Sequence, residues 1–194
     1  MIAEKRQYRV LVVSSSDKVC EHLYRLLPPS EFSPILRAKT AGEARRQLVS
    51  AAVDILIINT PLTDDFGVQL ALDMSDDSMG ILLLVKEDLF DQVSYRVEDS
   101  GVFTLAKPSS RQVLYSTVKM MAVLKQRLDK LERKTQSLQE KMADIRAVNR
   151  AKWLLIENLK MSEKDAHYYI EKQAMDARIP RREIAENIIR TYDA

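Results

Sequence analysis

Residues 54–85, DILIINTPLTDDFGVQLALDMSDDSMGILLLV, decide the fold of the first half of the chain. Asp54–Ile58 is apolar throughout after its aspartate, and Ile81–Val85 is apolar without a break. Such runs read as strands buried on both faces, because a strand with one wet face would alternate polar and apolar residues. Between them, Phe66–Ser75 reads as a helix. Strand, helix and strand of this kind form the repeating unit of a parallel sheet covered on both sides.

The same alternation continues outward from this unit. On the N-terminal side, Tyr8–Val13 (YRVLVV) reads as a strand and Asp17–Leu27 as a helix with Asp17 available as its cap. Pro34–Ala38 is a second short strand and Ala41–Ala51 a second helix. On the C-terminal side, Leu89–Glu98 is helical, and Gly101 precedes a last short strand, Val102–Leu105. Five such units within roughly 110 residues suit an α/β doubly wound, flavodoxin-like sheet of strand order 2-1-3-4-5.

This succession resembles the receiver domain of bacterial response regulators over roughly residues 7–120. In that family the ends of strands one and three carry acidic residues that bind Mg²⁺ and accept a phosphoryl group. Strand four ends in Ser or Thr, and strand five is followed by Lys-Pro. Lys107-Pro108 matches the last feature. The other positions depart from the pattern: Ser14 and Ser15 stand at the acidic pair, Asn59 at the phosphoacceptor and Val85 at the hydroxyl residue. Thr104 replaces the usual aromatic residue near strand five. Mg²⁺ needs carboxylate oxygens, and an amide is a far poorer nucleophile than a carboxylate. The resemblance therefore implies a receiver-like domain that has lost phosphorylation and serves in dimerisation or in docking a regulatory protein or small ligand. Lys107 is expected to hydrogen-bond Asn59 or a serine hydroxyl. Asp17, Asp64 and Asp65, nearby in sequence, are expected as a helix cap and solvated loop acids.

After Pro108 one long helical stretch runs from about Ser110 to Asn158 without Gly or Pro, roughly 70 Å at the usual rise per residue. From Met121 onward apolar residues recur at steps of three and four: Leu124, Leu128, Leu131, Leu138, Met142 and Ile145. With Met121 at heptad position a, Thr135 and Asn149 fall in the same a series, and leucine or isoleucine fills every d. Leucine at d with a polar residue at some a positions favours a parallel two-stranded coiled coil, so a parallel homodimer is expected. The competing arrangement folds the helix back onto its own first domain.

Bulk properties restrict the classes further. The chain has 194 residues, net charge +2 and 46% hydrophobic residues, ordinary for a globular protein with room for two small domains. Residues 1–110 carry 12 basic and 16 acidic side chains, 111–145 carry 8 and 4, and 146–194 carry 10 and 8. The basic surplus lies in the C-terminal half, which permits a polyanionic partner there. No apolar run approaches membrane-spanning length, and the first residues lack the apolar core of a signal peptide. One cysteine, Cys20, and two histidines, His22 and His167, fit a cytoplasmic chain without a disulfide or a zinc site. No cofactor or metal is expected, nor any enzymatic activity, since no nucleophile–base pair is visible.

Beyond Ile145 the helical periodicity continues through Trp153, Leu154 and Ile156 to Leu159. Ser162 with Asp165 three residues on has the form of a capping box, starting a helix that runs from Glu163 to about Ala177 with Ala166, Ile170, Ala174 and Tyr169 inward. Pro180 opens a third helix, Arg181 to about Tyr192, with Ile184, Ala185, Ile188 and Ile189 buried. One of His167 and Tyr168 should be exposed. The three pieces form a compact all-α unit.

These residues resemble the ANTAR domain, an RNA-binding module at the C-terminus of bacterial antitermination regulators. The matching pieces are Ala151-Lys152, Met161-Ser162-Glu163-Lys164-Asp165-Ala166, Ala174-Met175-Asp176 and Ile184-Ala185-Glu186. Trp153 departs from it, standing where the family usually has Gly, and is either core packing or a base-stacking platform. The resemblance implies binding of paired small hairpins in mRNA leader RNA, with Lys152, Trp153, Lys172, Gln173, Arg178, Arg181 and Arg182 as contacts. Ala151, Ala166 and Ala174 would allow close helix packing or close approach of RNA. The expected division is 1–110 receiver-like, 111–145 coiled coil and 146–194 ANTAR. A regulator that binds a protein partner and no RNA is the alternative.

Overall fold

The computed structural model describes residues 6–75 and 78–192. The chain separates into two compact units, Met1–Asp129 and Lys130–Ala194. In the first, strands β1 (Tyr8–Val13), β2 (Phe32–Ala38), β3 (Ile55–Asn59), β4 (Gly80–Lys86) and β5 (Phe103–Lys107) form one sheet of order β2-β1-β3-β4-β5. Every neighbouring pair is parallel. Helices α1 (Asp17–Leu26), α2 (Ala41–Ser50), α3 (Val68–Asp73) and α4 (Phe90–Val97) connect the strands. This is the doubly wound fold expected from the alternating pattern.

Side chains alternate across a strand, and here both faces are covered. Leu11, Val13, Leu56, Ile58, Leu83 and Val85 face α2, α3 and α4. Val10, Val12, Ile55, Ile57, Leu82 and Leu84 face α1 and the start of α5 (Arg111–Leu159). In β3 and β4 two buried faces favour apolar side chains throughout, which is why Ile55–Ile58 and Ile81–Val85 read as unbroken apolar runs. Each fully buried Leu or Ile contributes about 2 kcal/mol of transfer free energy.

Local chemistry trims the expected elements. Helix α3 starts at Val68 because Gly67, its N-cap, has φ 100° in the left-handed region. A Cβ there would meet Ile58 Cγ2 at 2.8 Å, so no other residue fits this turn. Asp17 does not cap α1. Ser16 holds that position without a side-chain cap bond, and its amide donates to Ser14 Oγ at 3.1 Å. Asp17 is the first helical residue and pairs with Lys39 at 3.3 Å.

Helix α5 is continuous over 49 residues. Met121, expected in the seam, is instead 2% exposed and belongs to the sheet-packed stripe with Leu114, Val118 and Ala122. The steps from 114 to 118, 121 and 122 bury one helical face, and Met121 lies in its centre. One turn later Lys125 is buried, donating to Ser78 Oγ at 3.0 Å and pairing with Asp129 at 2.7 Å. Arg6 also pairs with Asp129, and reaches Asp54 at 3.0 Å. The remaining seam residues, Leu124, Leu128, Leu131, Leu138, Met142 and Ile145, are 38% to 61% exposed.

In the second unit, the end of α5 packs with α6 (Glu163–Ala177) and α7 (Arg181–Tyr192) around Ala151, Leu154, Leu155, Ala166, Ile170, Ala185 and Ile188. The three alanines let the helices approach closely. Ser162 caps α6 by accepting from the Asp165 amide at 3.2 Å. The Asp165 carboxylate accepts from the Ser162 hydroxyl at 2.6 Å, so only half of the capping box forms. Tyr169, expected inward, is 38% exposed. Ala166, Ile170 and Ala174, one turn apart, carry the inward stripe and leave Tyr169 at its edge. Tyr168 and Trp153 are exposed.

Candidate functional site

One polar constellation in each unit brings together residues singled out by the sequence. In the first, the C-terminal ends of β1, β3 and β5 bring Ser14, Asn59 and Lys107 together. Asn59 Nδ2 donates to Ser14 Oγ at 3.0 Å, and Lys107 Nζ donates to Asn59 Oδ1 at 2.7 Å and to the Thr60 carbonyl at 2.5 Å. Ser14, Asn59 and Thr60 are all buried. Burial, and then the neighbouring Lys86, hold the Lys107 ammonium below the ordinary lysine value. Val85, beside them, is fully buried and has no hydroxyl to offer, whereas Ser15 points into solvent.

The nearby acids are engaged elsewhere. Asp64 accepts from the Ala41 amide at 2.9 Å and the Gly42 amide at 3.0 Å, capping α2 from another loop. Those backbone bonds hold its carboxyl below the usual range. Asp65 accepts from the Gly67 amide at 2.8 Å, and Asp17 faces Lys39. Among the described residues no three His, Cys, Asp or Glu side chains gather as a metal-holding group. A neutral amide held by an ammonium and a serine hydroxyl can stiffen this edge of the sheet. An amide carries no carboxylate charge for Mg²⁺ and is a weaker nucleophile than a carboxylate. Thr104 is likewise tied down, its hydroxyl 2.7 Å from that of Ser94.

In the second unit, a groove of about 330 Å³ is lined by Asp144, Ile145, Val148, Asn149, Lys152, His167, Pro180, Arg181 and Arg182. Three of the sequence-predicted contacts thus converge on one cleft. Each is paired with a carboxylate: Lys152 with Glu163 at 2.8 Å, Arg181 with Glu171 at 2.7 Å, and Arg182 with Glu186 at 2.7 Å and Asp144 at 3.2 Å. The Lys152 hydrogen bond, then its charge, hold the Glu163 carboxyl low, and Glu186 and Asp144 raise the Arg182 guanidinium. His167 also reaches Glu171 at 3.4 Å.

Trp153, Lys172, Gln173 and Arg178 do not line the groove. Lys172 and Arg178 are exposed, and neither forms an ion pair among the described residues. Arg178 takes left-handed backbone, φ 56° and ψ 38°, as the C-cap of α6. Sequence reasoning missed the carboxylates. Arg182–Glu186 and His167–Glu171, each four apart on one helix, follow a visible rule; Asp144 lies 38 residues from Arg182.

With this geometry established, comparison with known proteins places both units. Residues 136–189 match the ANTAR domain. Over 184 residues, 94% of this chain and 90% of the relative, the chain is 23% identical to the transcriptional regulatory protein PdtaR of Mycobacterium tuberculosis. It is 35% identical over 66 residues, 34% of each chain, to the aliphatic amidase regulator of Pseudomonas aeruginosa. The receiver domain of an HD domain-containing protein from Pseudomonas fluorescens superposes with TM-score 0.59 at 22% identity, covering 67% of this chain and 97% of that one. A response regulator from Chloroflexus aurantiacus gives 0.55 at 24% identity, covering 61% and 99%. The chain therefore carries an ANTAR domain behind a receiver-type fold.

Proposed function

We propose that this chain is a non-enzymatic transcription antitermination regulator that binds paired hairpins in mRNA leader RNA through its ANTAR domain. One observation carries the reading: Lys152, Arg181 and Arg182 converge on a single groove within the stretch that matches that domain. RNA hairpin loops present unstacked bases and closely spaced phosphates, which are read by edge contacts, stacking and basic side chains. Holding the hairpins in the antiterminator fold would keep the terminator from forming, so downstream genes are transcribed.

In this reading residues 1–110 are an input domain, 111–145 a coiled-coil connector and 146–194 the RNA-binding head, in a cytoplasmic protein. The open apolar seam from Leu124 to Ile145 supports a parallel homodimer, and two linked heads would bind two linked hairpins with raised avidity. The Ser14–Asn59–Lys107 network supports loss of phosphorylation. Control then falls to a regulatory protein or small ligand on the receiver-like unit.

A second reading, a regulator that binds a protein partner and no RNA, is favoured by the neutralisation of the groove's cations by Glu163, Glu171, Glu186 and Asp144. A gel shift separates the two. The full chain should retard a leader RNA with two short hairpins and not a version with substituted loops. Equal behaviour of the two RNAs at moderate salt removes the RNA reading.

A further inference from the structure

Helix α1 ends where the chain turns extended at Leu27, because Pro28 and Pro29 follow. The Pro28 carbonyl accepts from the Glu31 and Phe32 amides at 3.0 Å, which closes the turn. Lys119 of α5 pairs with the Glu31 carboxylate and ties that turn to the helix. One helical turn before Lys119, Tyr115 packs half-buried against the same core as Leu26. Between the end of α1 and the start of α5 lies a cleft of about 480 Å³, lined by Arg25, Leu26, Pro28, Arg111, Gln112 and Tyr115.

The lining divides by chemistry. Leu26 is buried, Pro28 and Tyr115 are half-buried, and all three offer mostly apolar surface. Arg25, Arg111 and Gln112 are exposed. Among the described residues this lining holds no carboxylate. The cationic groove of the second unit includes Asp144, the cleft beside α3 and α4 includes Asp65, and the one at the start of β1 includes Asp54. Arg111 forms no ion pair among the described residues. Arg25 reaches Glu21 only at 3.9 Å, with both side chains exposed, a pairing that a bound anion readily displaces. Guanidinium groups donate paired N–H bonds to carboxylate or phosphate oxygens, and their planes stack on aromatic rings. The volume lies within the range of small-ligand sites, about 300–1,000 Å³.

We propose that this cleft binds a small apolar anion, an aromatic carboxylate or phosphate ester. Arg25 and Arg111 take the anionic group, and Leu26, Pro28 and Tyr115 take the aromatic body. The closed turn and the Lys119–Glu31 pair hold the walls in place without a ligand, so little ordering is lost on binding. The proposal gives a place and a chemical class to the small ligand named above, and rests on that reading only for its use in control.

The full chain is titrated with anilinonaphthalene sulfonate, an aromatic anion whose emission rises in an apolar site. A parallel titration uses N-phenylnaphthylamine, the same body without the charge. The sulfonate should bind more weakly as salt is raised, and naphthoate should displace it. Arg25→Gln with Arg111→Gln should weaken sulfonate binding about tenfold and leave the uncharged probe within about twofold. Arg127→Gln, at an exposed arginine farther along α5, should change neither. Unaltered sulfonate binding in the double variant, or equal loss of both probes, would overturn the inference. Phosphatidylglycerol vesicles should not carry the chain down on sedimentation. Co-sedimentation that the double variant abolishes would assign the arginines to a membrane surface and overturn it as well. The gel shift with hairpin RNA is read separately, so loss of loop-dependent binding there removes the antitermination reading and leaves the cleft's anion site standing.

Discussion

The two constellations hold their cations in opposite ways. Lys107 is half-buried at the sheet edge and held by neutral acceptors, the Asn59 amide and the Thr60 carbonyl. Lys152, Arg181 and Arg182 line a solvent-facing groove, each against a carboxylate of its own unit. A buried ammonium with neutral partners is a fixed structural part, since releasing it would strand polar groups away from water. Surface ion pairs of this kind contribute little to stability and are readily exchanged. The comparison thus separates a constellation that has settled into architecture from one whose partners a polyanion can replace.

The largest expected effect falls on the first. Asn59→Leu removes the bridge between Ser14 and Lys107 and leaves both short of a partner. Unfolding of the full chain by urea should show a loss of roughly 2–4 kcal/mol; a loss within 0.5 kcal/mol would mean the network is not structural. Next is the groove. Arg181→Ala with Arg182→Ala should leave unfolding almost unchanged, yet lower affinity for a two-hairpin RNA by about tenfold and reduce its salt dependence by about two ions. Unchanged binding would move the RNA face away from the groove.

A pH experiment gives a smaller effect with a definite sign. Burial holds Lys107 below its ordinary value, so its charged form is penalised in the folded state at neutral pH. That penalty disappears as pH rises from the depressed folded value to the ordinary one. Stability relative to Lys107→Met should therefore climb with pH across that window, and a flat difference would break the argument. The smallest effect is Glu186→Gln, which loosens Arg182 without touching the core. RNA affinity should rise by a few-fold, where a protein-only partner surface would show no RNA response.

The sheet was legible because two buried faces force unbroken apolar strands, and α6 because Ser162 and Pro180 punctuate the chain where helices begin and end. The Lys107–Asn59 bond was also within reach, since the resemblance places both residues at one edge. What could not be read depends on residues distant in sequence. Asp64 caps α2 from 22 residues away, and Arg182 meets Asp144 across two helices. Met121 fits the heptad series equally well by spacing, and only packing against the sheet assigns it to the core. Trp153 could be core or surface by periodicity alone; the burial of Leu154 and Leu155 on the other side of the helix decides it.

The central claim is that the second unit reads RNA and the first no longer takes a phosphoryl group. It is tested most directly by one binding isotherm of the full chain on a two-hairpin leader RNA, before and after treatment with acetyl phosphate and Mg²⁺. The account predicts loop-dependent binding, identical in the two states. Binding without loop dependence, or an affinity that changes because phosphate is incorporated, would contradict it.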